Sequence, residues 1–194
     1  MKKRILSLAL SAAMALTMLP TGAFAASDKG KPPVYNKATG CYEISTPDQL
    51  LYLSGSWRDG APRDGHYVLT ADIDMTGVKG FKPIASKKDQ GFTGTFDGQF
   101  HAIKGLRVEY EKKYAGLFGY VGNQDDQAYI KDVALLDCYV TGQQNVGALA
   151  GVNYGTITGC VVTGEVKCLD LSNSHTAGGI CGKLKEGRPD RRSC

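Results

Sequence analysis

Few residues of this 194-residue chain stand at spacings that do chemistry. Its three histidines, His66, His101 and His175, lie far apart, and none is followed by glutamate. A zinc peptidase needs two histidines one helical turn apart with a glutamate as base, so the sequence offers no such site. The G-x-S-x-G elbow of a serine hydrolase is missing as well. Spacing alone leaves a thiol–histidine pair open, but no cysteine has the glycine-and-aromatic surroundings of a catalytic thiol. Asp72, Asp74 and Asp97 are the acids that a polysaccharide lyase or glycosidase could use. Each also has a plainer role. Asp72 and Asp74 alternate with apolar residues and take the outward positions of a strand. Asp97 precedes Gly98, where an aspartate side chain stabilises a turn. Asp125 and Asp126 could join a calcium site, although two adjacent loop acids are usually just solvated. Among the tyrosines at 110, 114, 120, 129, 139 and 154, Tyr139 and Tyr154 are the surface candidates for stacking on sugar rings. Packing between strands is the competing role for all six. No metal or cofactor site is expected.

Charge and cysteines narrow the setting. Lys2, Lys3 and Arg4, the apolar run 5–19 and Ala23-Phe24-Ala25 read as a secretory signal peptide over residues 1–25. The net charge of +4 falls to +1 once those three basic residues are set aside. Residues 183–194 carry five basic and two acidic side chains, which leaves −2 over residues 26–182. The basic balance therefore sits at the two ends and does not indicate a nucleic-acid partner. Export permits disulfides among the six cysteines. No C-x2-C pair suggests zinc. Past the leader, no second apolar run is long enough to span a membrane.

The elements that must position these residues follow from a repeat. Ala115-Gly116-Leu117-Phe118-Gly119 returns as Gly147-Ala148-Leu149-Ala150-Gly151 and as Gly178-Gly179-Ile180-Cys181-Gly182, with last glycines 32 and 31 residues apart. A fixed period of this size indicates a solenoid. Residues 130–142 are answered by residues 157–164, which aligns Cys138 with Cys160 and Gly142 with Gly164. On that alignment the two thiols stack on successive coils as a buried, reduced pair, and Cys41, Cys168 and Cys194 are the more reactive ones. Leu117, Leu149 and Ile180 form one interior column. Phe118, Ala150 and Cys181 then face outward unless a bend turns them in.

Taken in order, residues 26–40 read as a flexible linker with Pro32 and Pro33. Cys41–Ile44 suits a first strand. Thr46 caps a short helix that starts at Pro47, Gln49 completes a capping box, and Leu50, Leu53 and Trp57 form its apolar stripe. That helix would cover the open first rung of a stacked sheet. From His66 to Gly182 the texture is short apolar strands punctuated by glycine, which supplies backbone geometry at bends. Residues 183–194 match no repeat. They read either as a disordered tail or as the end of a chain cut short or shifted in frame.

Thr46-Pro47-Asp48-Gln49-Leu50, residues 69–75, Phe81-Lys82-Pro83-Ile84 and residues 92–106 resemble the opening module of bacterial extracellular proteins that carry the GLUG motif. The three glycine phrases resemble the GLUG repeat itself. The resemblance implies an all-β, right-handed parallel β-helix over residues 41–182 on a secreted or surface-displayed protein. Modules of this kind occur in adhesin-like proteins and beside IgA-cleaving metallopeptidases, usually as scaffolds. The expected function is a non-catalytic spacer or adhesin-like surface for glycans or extracellular proteins, within a longer parent chain. The alternative is a carbohydrate-active β-helix enzyme. Far-UV circular dichroism of the secreted protein is expected to show mainly β structure with one short helical contribution. A helix-dominated spectrum would exclude the solenoid.

Overall fold

The computed structural model describes residues 30–55, 61–170 and 176–185. The expected signal peptide, Trp57, His175, Cys194 and residues 186–194 lie outside the described residues. The chain winds as a parallel β-solenoid of about four turns with one short helix. β1 (Val34–Asn36) and β2 (Cys41–Ile44) lead into α1 (Pro47–Leu53). The second turn holds β3 (His66–Leu69) and β4 (Ile73–Asp74). The third holds β5 (Thr95–Asp97), β6 (Ala102–Lys104), β7 (Arg107–Ala115) and β8 (Phe118–Val121). The fourth holds β9 (Tyr129–Lys131), β10 (Ala134–Gly147) and β11 (Ala150–Asn153). The last holds β12 (Thr156–Thr158), β13 (Val161–Cys168), β14 (Ala177–Gly178) and β15 (Cys181–Leu184), two residues beyond the expected end.

Three sheets form its walls. The first runs β1-β2-β3-β5-β9-β12, the second β13-β10-β6-β4 with β7 and β14 also on β10, and the third β15-β11-β8. All pairings are parallel except β1 with β2. Each coil sets like residues over like, so the core is a set of columns. Tyr42, Tyr67, Phe96, Ile130 and Ile157 form one. Ile73, Ile103, Leu135 and Val162 form a second, and Val108, Val140 and Val166 a third. Their middle members are fully buried, whereas Ile157, Val162 and Val166 of the last coil are only partly covered.

Both ends of the first coil differ from expectation in detail. Val34–Asn36, within the presumed linker, pairs antiparallel with β2 and takes up its free edge. Tyr35 rests on Tyr42 at 4.9 Å, and Tyr42 stacks on Tyr67 at 5.2 Å. In α1, the Thr46 hydroxyl accepts from the Gln49 amide. The Gln49 side chain reaches the Ser45 amide at 2.7 Å, one residue before the position a capping box uses. Leu50, Leu51 and Leu53 are buried. The Ser54 hydroxyl accepts from the Lys82 amide at 2.7 Å and ties the helix end to the second coil.

Three expectations about the repeat are corrected. Leu117 and Leu149 are fully buried, but Ile180 is 43% exposed because no described coil lies over it. Phe118 and Ala150 are also fully buried. Their strands begin after a bend at the glycine phrase, so two consecutive residues face inward. The cysteine alignment is out of register. Cys138 lies beside Gly164, and Gly142 beside Cys168. Cys160 is next to Val133, whose carbonyl accepts from the Val161 amide. The offset arises where the β10–β13 register shifts between Leu135 and Cys138. Cys138 is buried and Cys160 partly so; both thiols are free, and burial pushes both to higher pKa. They are not stacked.

The phrase glycines do not serve φ. Positive φ falls instead at connecting positions such as Gly105 and Gly122. A Cβ on Gly147 would come within 2.5 Å of the Gly182 nitrogen and 2.7 Å of the Cys181 Cα. One on Gly116 would come within 2.6 Å of the Gly147 oxygen. These glycines let the backbones of successive coils approach.

Two substitutions test this core by chemical denaturation. Leu149→Ala should destabilise by roughly 2–5 kcal/mol, as for other buried leucines. Gly147→Ala adds only a methyl group but should cost about 1–3 kcal/mol through overpacking. A loss below about half a kcal/mol for either would place that residue at the surface.

Candidate functional site

The sequence-derived acids are held in place by the ladder. Asp72 just precedes β4, and its Oδ1 accepts from the Ala102 amide at 2.9 Å and approaches His101 Nδ1 at 3.1 Å. The bond from Ala102, then that from His101, holds the carboxyl below the usual carboxylate range. The Asp72–His101 pair thereby stitches the second coil to the third. Among the described residues, no serine, threonine or cysteine side chain bonds to His101. Asp74 accepts from the Thr76 amide at 2.9 Å and is likewise depressed, first by the Thr76 hydroxyl and then by that amide.

Asp97 stands on a different wall, in the first sheet. Its Oδ1 accepts from the Gln99 amide at 2.9 Å, and its Oδ2 meets Lys131 Nζ of the next coil at 2.7 Å. It closes a turn as expected, but the left-handed residues there are Gln99 and Phe100. Gly98 has another reason to be glycine, since a Cβ would overlap the Asp132 carbonyl. The structure thus separates Asp97 from Asp72 and Asp74. Asp125 and Asp126 close a loop through their amides to Asn123 Oδ1, each at 2.8 Å. Among the described residues no group of three or more His, Cys, Asp or Glu could hold a metal.

Tyr139 is placed differently. It lies mid-strand in β10, on the outer face between buried Cys138 and Val140. β7 sets Arg107 beside it and β13 sets Glu165 on the other side. The Arg107 guanidinium lies 4.3 Å from the ring centroid and Lys167 Nζ 5.3 Å from it. Each cation also holds a carboxylate two residues along its own strand, Arg107 with Glu109 and Lys167 with Glu165, both at 2.8 Å. The ring is thereby clamped within a partly exposed row of alternating charge, and cation–π contacts keep it in one orientation. Such a ring can stack on a flat apolar face and present hydrogen-bonding groups around it. Arg107 and Lys167 were not candidates in the sequence. Alternation in Arg107-Val108-Glu109 and in Glu165-Val166-Lys167 marks outward positions, but only the coil register brings them to Tyr139.

Tyr154 follows β11 on the third sheet and does not join Tyr139. Its amide donates to the Val121 carbonyl at 2.8 Å, and its ring is half-buried. It lies near Tyr120, whose phenol is raised by burial and by a hydrogen bond with Tyr114, with Tyr154 contributing further.

No family model matches the chain. Halomucin of Haloquadratum walsbyi is 32% identical over 151 residues, which are 73% of this chain and 2% of that protein. A protein assigned as a Gly-rich membrane protein in Evansella cellulosilytica is 33% identical over 101 residues, 47% of this chain and 11% of that one. The chain thus spans a small part of the length of the relatives it matches. A solved chain from Bacteroides ovatus, assigned as an immunoglobulin A1 protease, has a TM-score of 0.40 and 18% identity, covering 75% of this chain and 62% of that one. That likeness is too loose to bear on function. Among the described residues no helix is long and apolar enough to cross a membrane.

The Asp72 ladder makes a pH prediction. A carboxylate whose folded pKa is depressed contributes stability above its unfolded pKa, and that stability is lost as pH falls through the folded value. Thermal stability should therefore fall on acidification below about pH 4. In Asp72→Asn, which keeps an acceptor but does not titrate, that fall should be shallower. An unchanged acid limb would remove Asp72 from the linkage.

Proposed function

We propose that this chain is a secreted or cell-surface solenoid module of the GLUG-like kind. Its outer face around Tyr139 binds glycans or extracellular proteins without turning them over. The carrying observation is the clamped ring: Tyr139 is oriented from both flanking strands on a partly exposed sheet face. The leader-like first 25 residues and relatives named halomucin and Gly-rich membrane protein support an extracellular setting. The acids weigh against a glycosidase. Asp72, Asp74 and Asp97 are each engaged with backbone amides and are divided between two sheets, whereas glycoside hydrolysis needs two carboxyls flanking one bond.

A glycan array, with a parallel screen for turnover on pectin, chitosan, mucin and alginate, tests this reading. Binding without turnover is expected, weakened at least about fivefold in Tyr139→Ala, the order of one lost ring contact. Reproducible depolymerisation that is lost in Asp72→Asn or Asp97→Asn would establish the carbohydrate-active enzyme instead.

A further inference from the structure

A groove of about 1210 Å³ opens beside the Tyr139 face. Its walls bring together Lys82 and Lys87 of the second coil with Tyr110, Lys112, Lys113 and Tyr114 of β7, and buried Ser54 and Thr141 lie beneath. The two surfaces are continuous, because Thr141 of β10 pairs with Glu109 of β7 and Lys167 of β13, one pair along from Tyr139.

Three features show that the groove is shaped by the backbone. The β7–β10 register shifts between Gly142 and Gln144, so β7 carries an extra residue. Such a bulge bends the strand and re-aims its side chains, and Glu111, Lys112 and Lys113 are consecutively exposed there. Tyr114 follows with φ of 70°, a left-handed conformation that a bulky residue adopts at a cost. Its backbone fits because Gly151 lies opposite, where a Cβ would come within 2.6 Å of the Tyr114 Cα. Its ring rests 4.7 Å from that of Tyr120.

Charge then selects the ligand. Four lysines line the groove against Glu109 and Glu111, and Glu109 is already paired with Arg107. Among the described residues none of the four lysines has a carboxylate partner. Residues 26–182 are net negative, so this concentration of cations runs against the chain's own balance. Tyrosine rings supply stacking surfaces, and lysines supply point charges on flexible stems suited to spaced anions. We infer that this groove binds an acidic polysaccharide, a sugar chain that carries carboxylate or sulfate groups. This rests on reading the adjoining outer face as a binding surface, and it names the ligand class.

The test uses the full secreted chain with polygalacturonate, dextran sulfate and neutral dextran as separate probes, and poly-glutamate as an acidic non-sugar. One or both acidic glycans should bind and neutral dextran should not. Affinity should drop at least about tenfold in Lys112→Gln/Lys113→Gln, and should fall as salt rises from about 50 to about 200 mM. Lys82→Gln/Lys87→Gln, on a separate segment, should do the same and guards against local misfolding in the first variant. Acidic-glycan binding that both lysine pairs leave intact but Tyr139→Ala removes would overturn the groove and keep the Tyr139 face. Binding of neutral glycans alone would do likewise. Equal binding of poly-glutamate would overturn the sugar assignment. No binding by any glycan or extracellular protein would overturn both readings.

Discussion

Everything in this solenoid depends on how closely one coil's backbone can lie over the next. Parallel strands stack about 4.8 Å apart, and at the wall junctions the main chain comes nearer still. Gly116, Gly147 and Gly178 fall in one such column, and Gly119, Gly151 and Gly182 in another. A Cβ at most of these positions would collide with backbone of a neighbouring coil or of its own bend. The spacing of about 31 residues is therefore a steric repeat first and a hydrophobic one second. The apolar columns follow once the glycines fix the height of each turn.

This explains what could be read from the chain. The glycine phrases, the strand alternation around Asp72 and Asp97, and the Thr46 cap are local patterns, and local patterns survive in a single sequence. Features that depend on two coils at once do not. The false pairing of Cys138 with Cys160 came from aligning similar letters, whereas the shift after Leu135 moves Cys138 to Gly164. The extra residue in β7 is invisible for the same reason, since it exists only relative to Gln143 of β10. Val34-Tyr35-Asn36 gave no strand signal beyond three residues, and its pairing depends on the free edge of β2.

The same division runs through the site. Acids were legible by type, and their engagement with Ala102, Thr76 and Gln99 amides reflects turn chemistry that aspartate commonly serves. Tyr139 was legible as a candidate, but its flanking cations come from positions 32 residues before and 28 after it. A surface assembled across strands is a property of register, and register is what a solenoid's inserted residues disturb.

The two ends of the barrel are unlike. At the first coil, β1 occupies the edge of β2 and α1 lies on the core. At the last described coil, Ile157, Val162 and Val166 are partly uncovered, and Val161 and Leu184 are 56% and 75% exposed. In a structure whose turns contact only their neighbours, cohesion accumulates from the closed side. Opening should thus be directional, with the last turn separating first while the aromatic stack from Tyr42 to Phe118 stays closed. Such a rod comes apart as a zipper does, from a fixed end, and its resistance to pulling or proteolysis depends on which end is held.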